Sequence, residues 1–221
     1  KLGWFFILPP LAGLVVQPAI GSFSDRTWAP KLGGRRLPYL LIGMIFAVIM
    51  MLFLPNIGSL GLGYGSIEAL VFGAIAIAIL DVAANMAMQP FKMMIGDMVN
   101  DEQKSYAYGI QSMLSNSGAV IAAFFPFLLT VLGVANTAKK GVVPQSVVIS
   151  FYVGATILVI TSLLTVTKVH EYDPKTYARY HGIKEEDNKE GGNWFELLKK
   201  APKVFWQVSL VQLFCWFSFQ Y

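Results

Sequence analysis

Charge and cysteine are what this sequence has least of. Asp, Glu, Lys and Arg make up 14% of its 221 residues, where soluble domains carry roughly a quarter, so the chain has too little polar material to cover a water-facing surface. Its single cysteine, Cys215, stands in an apolar stretch. That excludes a disulfide framework and a Cys-based zinc site, and Cys215 reads as a packing residue. The two histidines, His170 and His181, lie 11 residues apart in the longest polar stretch with no Cys or acidic frame of metal-site spacing, so no metal is expected. No nucleophile and base pair is visible to support an enzyme. Gly61-Leu-Gly63-Tyr-Gly65 falls in a turn between apolar runs rather than after a soluble strand, which makes it a poor nucleotide site; no cofactor is implied.

What is present is apolar. Hydrophobic residues make up 55% of the chain and the mean hydropathy is +0.57. The net charge of +4 comes from basic residues lying between the apolar runs, which places them in loops at a membrane surface rather than against nucleic acid. The first run begins at Leu2 without an initiator methionine or a basic lead-in, and the last stops at Tyr221 with no closing loop. Both ends read as cuts through a longer protein.

A helix crossing the hydrocarbon needs about 20 mainly apolar residues. Runs at about 2–24, 38–54, 67–94, 106–134 and 146–167 predict a five-helix bundle over residues 1–167, with a Gly-rich turn from Gly58 to Gly65. Residues 168–203 predict a linker, and 204–221 the start of a further, incomplete span. Positive residues are retained on the cytoplasmic side. Of 17 Lys and Arg, the loops at 25–38, 92–104 and 168–203 hold 4, 2 and 8, while those at 55–68 and 134–146 hold 0 and 2. The two alternating sets of loops hold 14 and 2 basic residues, so the loops at 25–38, 92–104 and 168–203 are expected to be cytoplasmic in a multi-pass protein of the plasma or inner cell membrane. Within the linker, Asn193 can cap a short helix carrying Trp194, Phe195, Leu197 and Leu198 on one face. It either rests on the membrane surface or runs straight into the next span.

Asp81 interrupts the third apolar run, 13 residues after Glu68 and 11 before Lys92. At about 1.5 Å per residue that is near the midplane, where a carboxylate costs on the order of 3 kcal/mol unless it is protonated, paired or wetted. Asn85 follows one turn later on the same face, with Met88 and Gln89 a turn beyond. A polar face of this kind points into a bundle, and an acid at that depth suits a site that takes and releases a proton. The plainer alternative is a hydrogen bond to a neighbouring helix, through Asn116 or Gln17, that only fixes packing. A second constellation is Gly21-Ser-Phe-Ser-Asp25-Arg26 followed by Lys31-Leu-Gly33-Gly34-Arg35-Arg36. Gly21 permits close helix approach, and Asp25 at a helix end can pair with a basic residue as a conformational latch formed with Arg26, Arg35 and Arg36. Ordinary positive-inside anchoring explains the arginines but not Gly21 and Asp25 at this spacing.

Gly-x-x-x-Asp-Arg followed by a Gly-Arg-Arg loop resembles the signature between the second and third helices of the major facilitator superfamily. The run from Pro10 through Gly13, Gln17, Pro18 and Gly21 to Arg26 is similar to the sucrose/proton symporters and their bacterial relatives in the glycoside-pentoside-hexuronide cation symporter group, as are Leu80-Asp81-Val82-Ala83-Ala84-Asn85, Gln89-Pro90-Phe91-Lys92 and Gly96-Asp97-Met98. Two departures stand out: relatives usually have a Gly followed by three Arg and a Pro where this chain has Gly33-Gly34-Arg35-Arg36-Leu37-Pro38, and Arg is common where Lys92 stands. The resemblance implies an all-α membrane protein, a major facilitator type helical bundle represented by its N-terminal half and the start of its C-terminal half. It implies proton coupling at Asp81 in a sugar symporter for a sucrose- or maltose-like glycoside, working as a monomer by alternating access with sugar, protons and lipid as its partners. Such transporters bind substrate near the midplane between two halves. Candidates to hydrogen-bond or stack on the sugar are Gln17, Asn85, Gln111, Ser115, Asn116, Trp216 and Gln220, with Tyr221 beside them; each also suits helix-to-helix packing. A sodium-coupled glycoside carrier and a non-transporting membrane sensor or scaffold of the same fold are the alternatives.

Overall fold

In hydrocarbon every backbone N–H and C=O must be satisfied within the chain, which leaves an uninterrupted helix as the only form for a run such as Leu37–Phe53. The computed structural model describes residues 3–56, 67–139, 142–181, 199 and 201–219, and among them the regular elements are helical. The long helices are α1 (Gly3–Arg26), α2 (Leu37–Phe53), α3 (Ile67–Met98), α4 (Asp101–Val131) and α5 (Gln145–Lys168), followed by the short α6 (Pro174–His181) and by α7 (Lys203–Phe219). Four described segments are long and apolar enough to cross a membrane: Leu37–Asn56, Ile67–Met98, Asp101–Val131 and Gln145–Lys168. α1, at 24 residues, also reaches the length a span requires.

Helix ends differ by a few residues from the apolar runs. α3 continues past residue 94 to Met98, and α4 starts at Asp101 rather than near 106. The added turn of α4 is polar but favourable: Asn100 precedes it in extended conformation, and Asp101 and Glu102 in the first turn complement the helix dipole. Apolarity marks what lies in lipid, whereas acids placed to suit the helix dipole carry α4 beyond it. The Gly58–Gly65 turn and the short helix expected from Asn193 lie outside the described residues.

The chain divides into two units, Lys1–Asp173 and Pro174–Tyr221. In the first, α3 is the central rod, packing on α1, α2 and α4, while α5 packs on α2 and α4. Where α3 packs on α2, Gly43 of α2 meets Ala83 and Ala87, small residues four apart on α3, the pattern by which membrane helices approach closely. A Cβ on Gly43 would lie 2.7 Å from the Ala87 amide nitrogen and 2.8 Å from the Ala83 carbonyl oxygen. The buried set is therefore small and partly polar: Leu37, Leu40, Met44 and Ala47 on α2, and Ala76, Ala83, Asn85, Pro90 and Met94 on α3. Large apolar side chains such as Ile45, Phe46, Phe124 and Phe127 face outward, an arrangement suited to lipid and not to water. In the second unit, α6 is eight residues long, and on α7 Phe205 and Trp206 meet edge to face at 5.6 Å between ring centres.

Candidate functional site

Two polar clusters lie along α3, one at its middle and one at its C-terminal end. At the middle, Asp81 and Asn85 are one turn apart, so their side chains share a face. The Asn85 amide donates to the Asp81 carboxylate at 3.1 Å and to the Asp81 carbonyl at 2.9 Å, while its oxygen accepts from Gln17 of α1 at 2.8 Å. Asn85 is 8% exposed; Asp81 is partly exposed and Gln17 exposed. Asp81 is joined to an amide chain and to no Lys or Arg among the described residues. Gly13 on α1 faces the same two amides, and a Cβ there would lie 3.4 Å from Gln17 and 3.8 Å from Asn85. Gln17, expected as a packing partner for Asp81, thus reaches it through Asn85.

The second cluster is built from the loop joining α1 to α2. After α1, a 3-10 turn at Pro30–Leu32 and a left-handed Gly33 (φ +74°) reverse the chain, with Ala29 and Gly34 bridged. This turn brings Arg35 and Arg36 over the ends of α1 and α3. The Arg36 guanidinium, 3% exposed, lies 2.6 Å from Asp97 through Nε and 3.1 Å from Asp25 through Nη2, and Nη1 donates to the Ser24 hydroxyl at 3.2 Å. Arg35 reaches the same Asp97 oxygen at 3.1 Å. Gly21, buried one turn before Asp25, leaves room for Met93: a Cβ there would be 3.5 Å from its methyl carbon. Arg26 is exposed and stands outside these ion pairs. Of the residues expected to form a latch, Asp25, Arg35 and Arg36 are drawn together. Asp97, Ser24 and Glu171, which the sequence did not assign to it, complete the group.

Gln111, Ser115 and Asn116 of α4 line a cleft of about 530 Å³ whose other wall is Met88, Phe91, Lys92 and Ile95 of α3. The Asn116 amide is spent on its own helix, donating to the Ser112 carbonyl at 2.8 Å, and makes no bond to Asp81. Lys92 is exposed and forms none of the ion pairs. Gln220, Tyr221 and the Trp216 side chain lie outside the described residues.

The sequence has counterparts among known proteins. Over 94% of its length the chain is 26% identical to a sucrose transport protein of Arabidopsis thaliana, of which it covers 43%. It is 30% identical over 55% of its length to solute carrier family 45 member 4 of Homo sapiens, covering 16% of that protein. A general alpha-glucoside permease of Schizosaccharomyces pombe is 28% identical over 56% of the chain, of which 23% is covered. The chain thus spans less than half the length of these relatives. No solved structure matches it. A family model, that of the MFS/sugar transport proteins, matches residues 1–221 throughout. Helices of membrane length, a polar centre on α3 and a whole-length family match agree: this multi-pass membrane chain belongs to the MFS/sugar transport protein family.

Proposed function

We propose that the protein is a proton-coupled symporter of a sucrose- or maltose-like glycoside, working by alternating access with Asp81 as the group that binds the coupled proton. The observation that carries this reading is the Asp81–Asn85–Gln17 chain. A carboxylate halfway along a membrane-length helix is linked to amides, which can donate to its charged form or accept from its neutral form, and among the described residues no cation fixes it in one state. A group so placed can gain and lose a proton without dismantling its surroundings. The names of the relatives, two of them a sucrose transport protein and an alpha-glucoside permease, supply the substrate class. The amides and hydroxyls of Gln17, Gln111 and Ser115 are the hydrogen-bonding groups this unit would offer to a sugar.

The charged cluster of Asp25, Arg35, Arg36 and Asp97 is read as the latch that holds one conformation of the cycle. It joins the loop between α1 and α2 to the C-terminal end of α3 and, through Glu171, to the start of the 168–203 stretch; the segments 25–38, 92–104 and 168–203 together hold 14 of the 17 Lys and Arg. Loops gathered at one end support the cytoplasmic placement that their charge assigns.

Uptake into proteoliposomes tests the coupling. Each proton moving down about one pH unit supplies the free energy of roughly a tenfold sugar gradient. The wild-type protein should therefore concentrate sugar about tenfold at one proton per sugar, and Asp81→Asn should only equilibrate it. Accumulation by Asp81→Asn equal to wild type would remove Asp81 from the coupling role. Accumulation that follows Na⁺ and ignores pH would assign the driving ion to sodium.

A further inference from the structure

The beginning of α2 is only partly provided for by its own sequence: Pro38 has no N–H to satisfy and the Tyr39 N–H reaches the Arg36 carbonyl at 3.1 Å, but the N–H groups of Arg36 and Leu37 are left to a distant acceptor. A helix leaves its first four N–H groups without internal partners, and these are best met by a side-chain oxygen at the cap and by negative charge nearby. At α2 the capping position is Arg36, whose side chain makes no capping bond, and the first turn carries no acid. The residues leading in, Arg35 and Arg36, are cations, the wrong sign for that end.

The missing acceptor arrives from 134 to 136 residues away. Glu171, just beyond α5, accepts the N–H of Arg36 at 2.9 Å and of Leu37 at 3.1 Å on Oε1, and that of Arg35 at 3.3 Å on Oε2. Its own N–H donates to the Gly33 carbonyl at 2.9 Å, so backbone and side chain both grip the same turn. Gly34 makes the fit possible: a Cβ there would overlap the Glu171 carboxylate. The turn so held is the one from which the Arg36 side chain leaves to lie between Asp25 and Asp97.

We propose that Glu171 is a positioning residue for Arg36. It fixes the first turn of α2 so that the guanidinium meets both carboxylates, and it thereby sets how readily the cluster opens during transport. The second half of this statement rests on the reading of the cluster as a latch in a sugar carrier; the first half does not.

The two halves are separated by measuring hydrogen exchange and uptake on the intact protein in proteoliposomes. Exchange is followed by mass spectrometry over the peptide containing Gly33–Leu40, and uptake is resolved into kcat and KM. Glu171→Ala should speed exchange of the α2 first turn by about tenfold or more, the loss expected for hydrogen bonds to a charged acceptor, and lower kcat about as far while KM stays within about twofold. Glu171→Gln, which keeps an acceptor and loses the charge, should fall between. Gly34→Ala retains Glu171 and Arg36 but puts a methyl group where the carboxylate sits, and should reproduce Glu171→Ala; the two together should do little more than either alone. This second variant keeps the test open if Glu171→Ala does not fold. Exchange unchanged in every folded variant, or KM rising in step with a falling kcat, would overturn the positioning role. Raised exchange in a protein that moves no sugar even as wild type would support the hold on α2 while defeating the transport reading.

Discussion

Arg36→Met should lower the melting temperature of the purified protein by many degrees, corresponding to about 3 kcal/mol or more, the cost of removing one partner from a buried charge cluster. The magnitude follows from what the substitution leaves behind. Asp97 is 16% exposed at its side chain and loses its 2.6 Å contact, and Asp25 loses its 3.1 Å contact. Arg35 remains at 3.1 Å from Asp97, which keeps the loss near the lower end of the range. The methionine itself fits an apolar gap well, so the penalty is electrostatic. Replacing both members, Arg36→Met with Asp97→Leu, should recover only part of the stability: an apolar pair in place of an ion pair is often neutral or better, but Arg35 then loses its 3.1 Å contact with Asp97. If the cluster is a latch, the recovered protein should still transport poorly. A single variant that melts with wild type would mean that the cluster holds nothing together.

Gly43→Val should be the most damaging change of a small residue in this bundle. The added atoms enter where even a Cβ would stand 2.7 Å from the Ala87 backbone nitrogen and 2.8 Å from the Ala83 carbonyl oxygen. No flexible side chain can move aside, since the obstruction is helical backbone, so α2 and α3 must separate. Overpacking typically costs about 1–3 kcal/mol; here the displaced contact is the one around which the unit is assembled, and about 3 kcal/mol or more is expected. Separation would also open the seam beside Asn85. The check is the yield and melting temperature of Gly43→Val beside Gly73→Val, a control on α3 where a Cβ meets nothing within 4 Å. Equal behaviour of the two would show that the close approach at Gly43 is not needed.

How much of this was legible depended on whether a feature is local. Asp81 and Asn85 stand four apart in one apolar run, and helical geometry alone places them on one face. Ala83 and Ala87 carry an equally plain spacing, but nothing in the order of residues says that Gly43 meets them. The latch divides the same way. Asp25, Arg35 and Arg36 could be grouped because they flank a short loop. Asp97 sits 61 and 62 positions from the arginines it binds and was visible only as a letter in a familiar motif. Glu171 had a weaker signal still, an acid at the head of a basic stretch, and its role depends on α5 ending beside α2. Side chains that bridge helices are chosen by the tertiary packing, which composition and period do not encode.

The distance along the chain between Glu171 and the turn it holds also bears on how the protein is made. A ribosome adding about 5–20 residues per second needs about 7–27 s to travel the 134 positions from Leu37 to Glu171. Throughout that interval α2 has already been synthesised with its leading amides and two arginines lacking this acceptor. Only when α5 has emerged can the loop between α1 and α2 be fastened, so the order of synthesis makes this contact one of the last closures among α1 to α5.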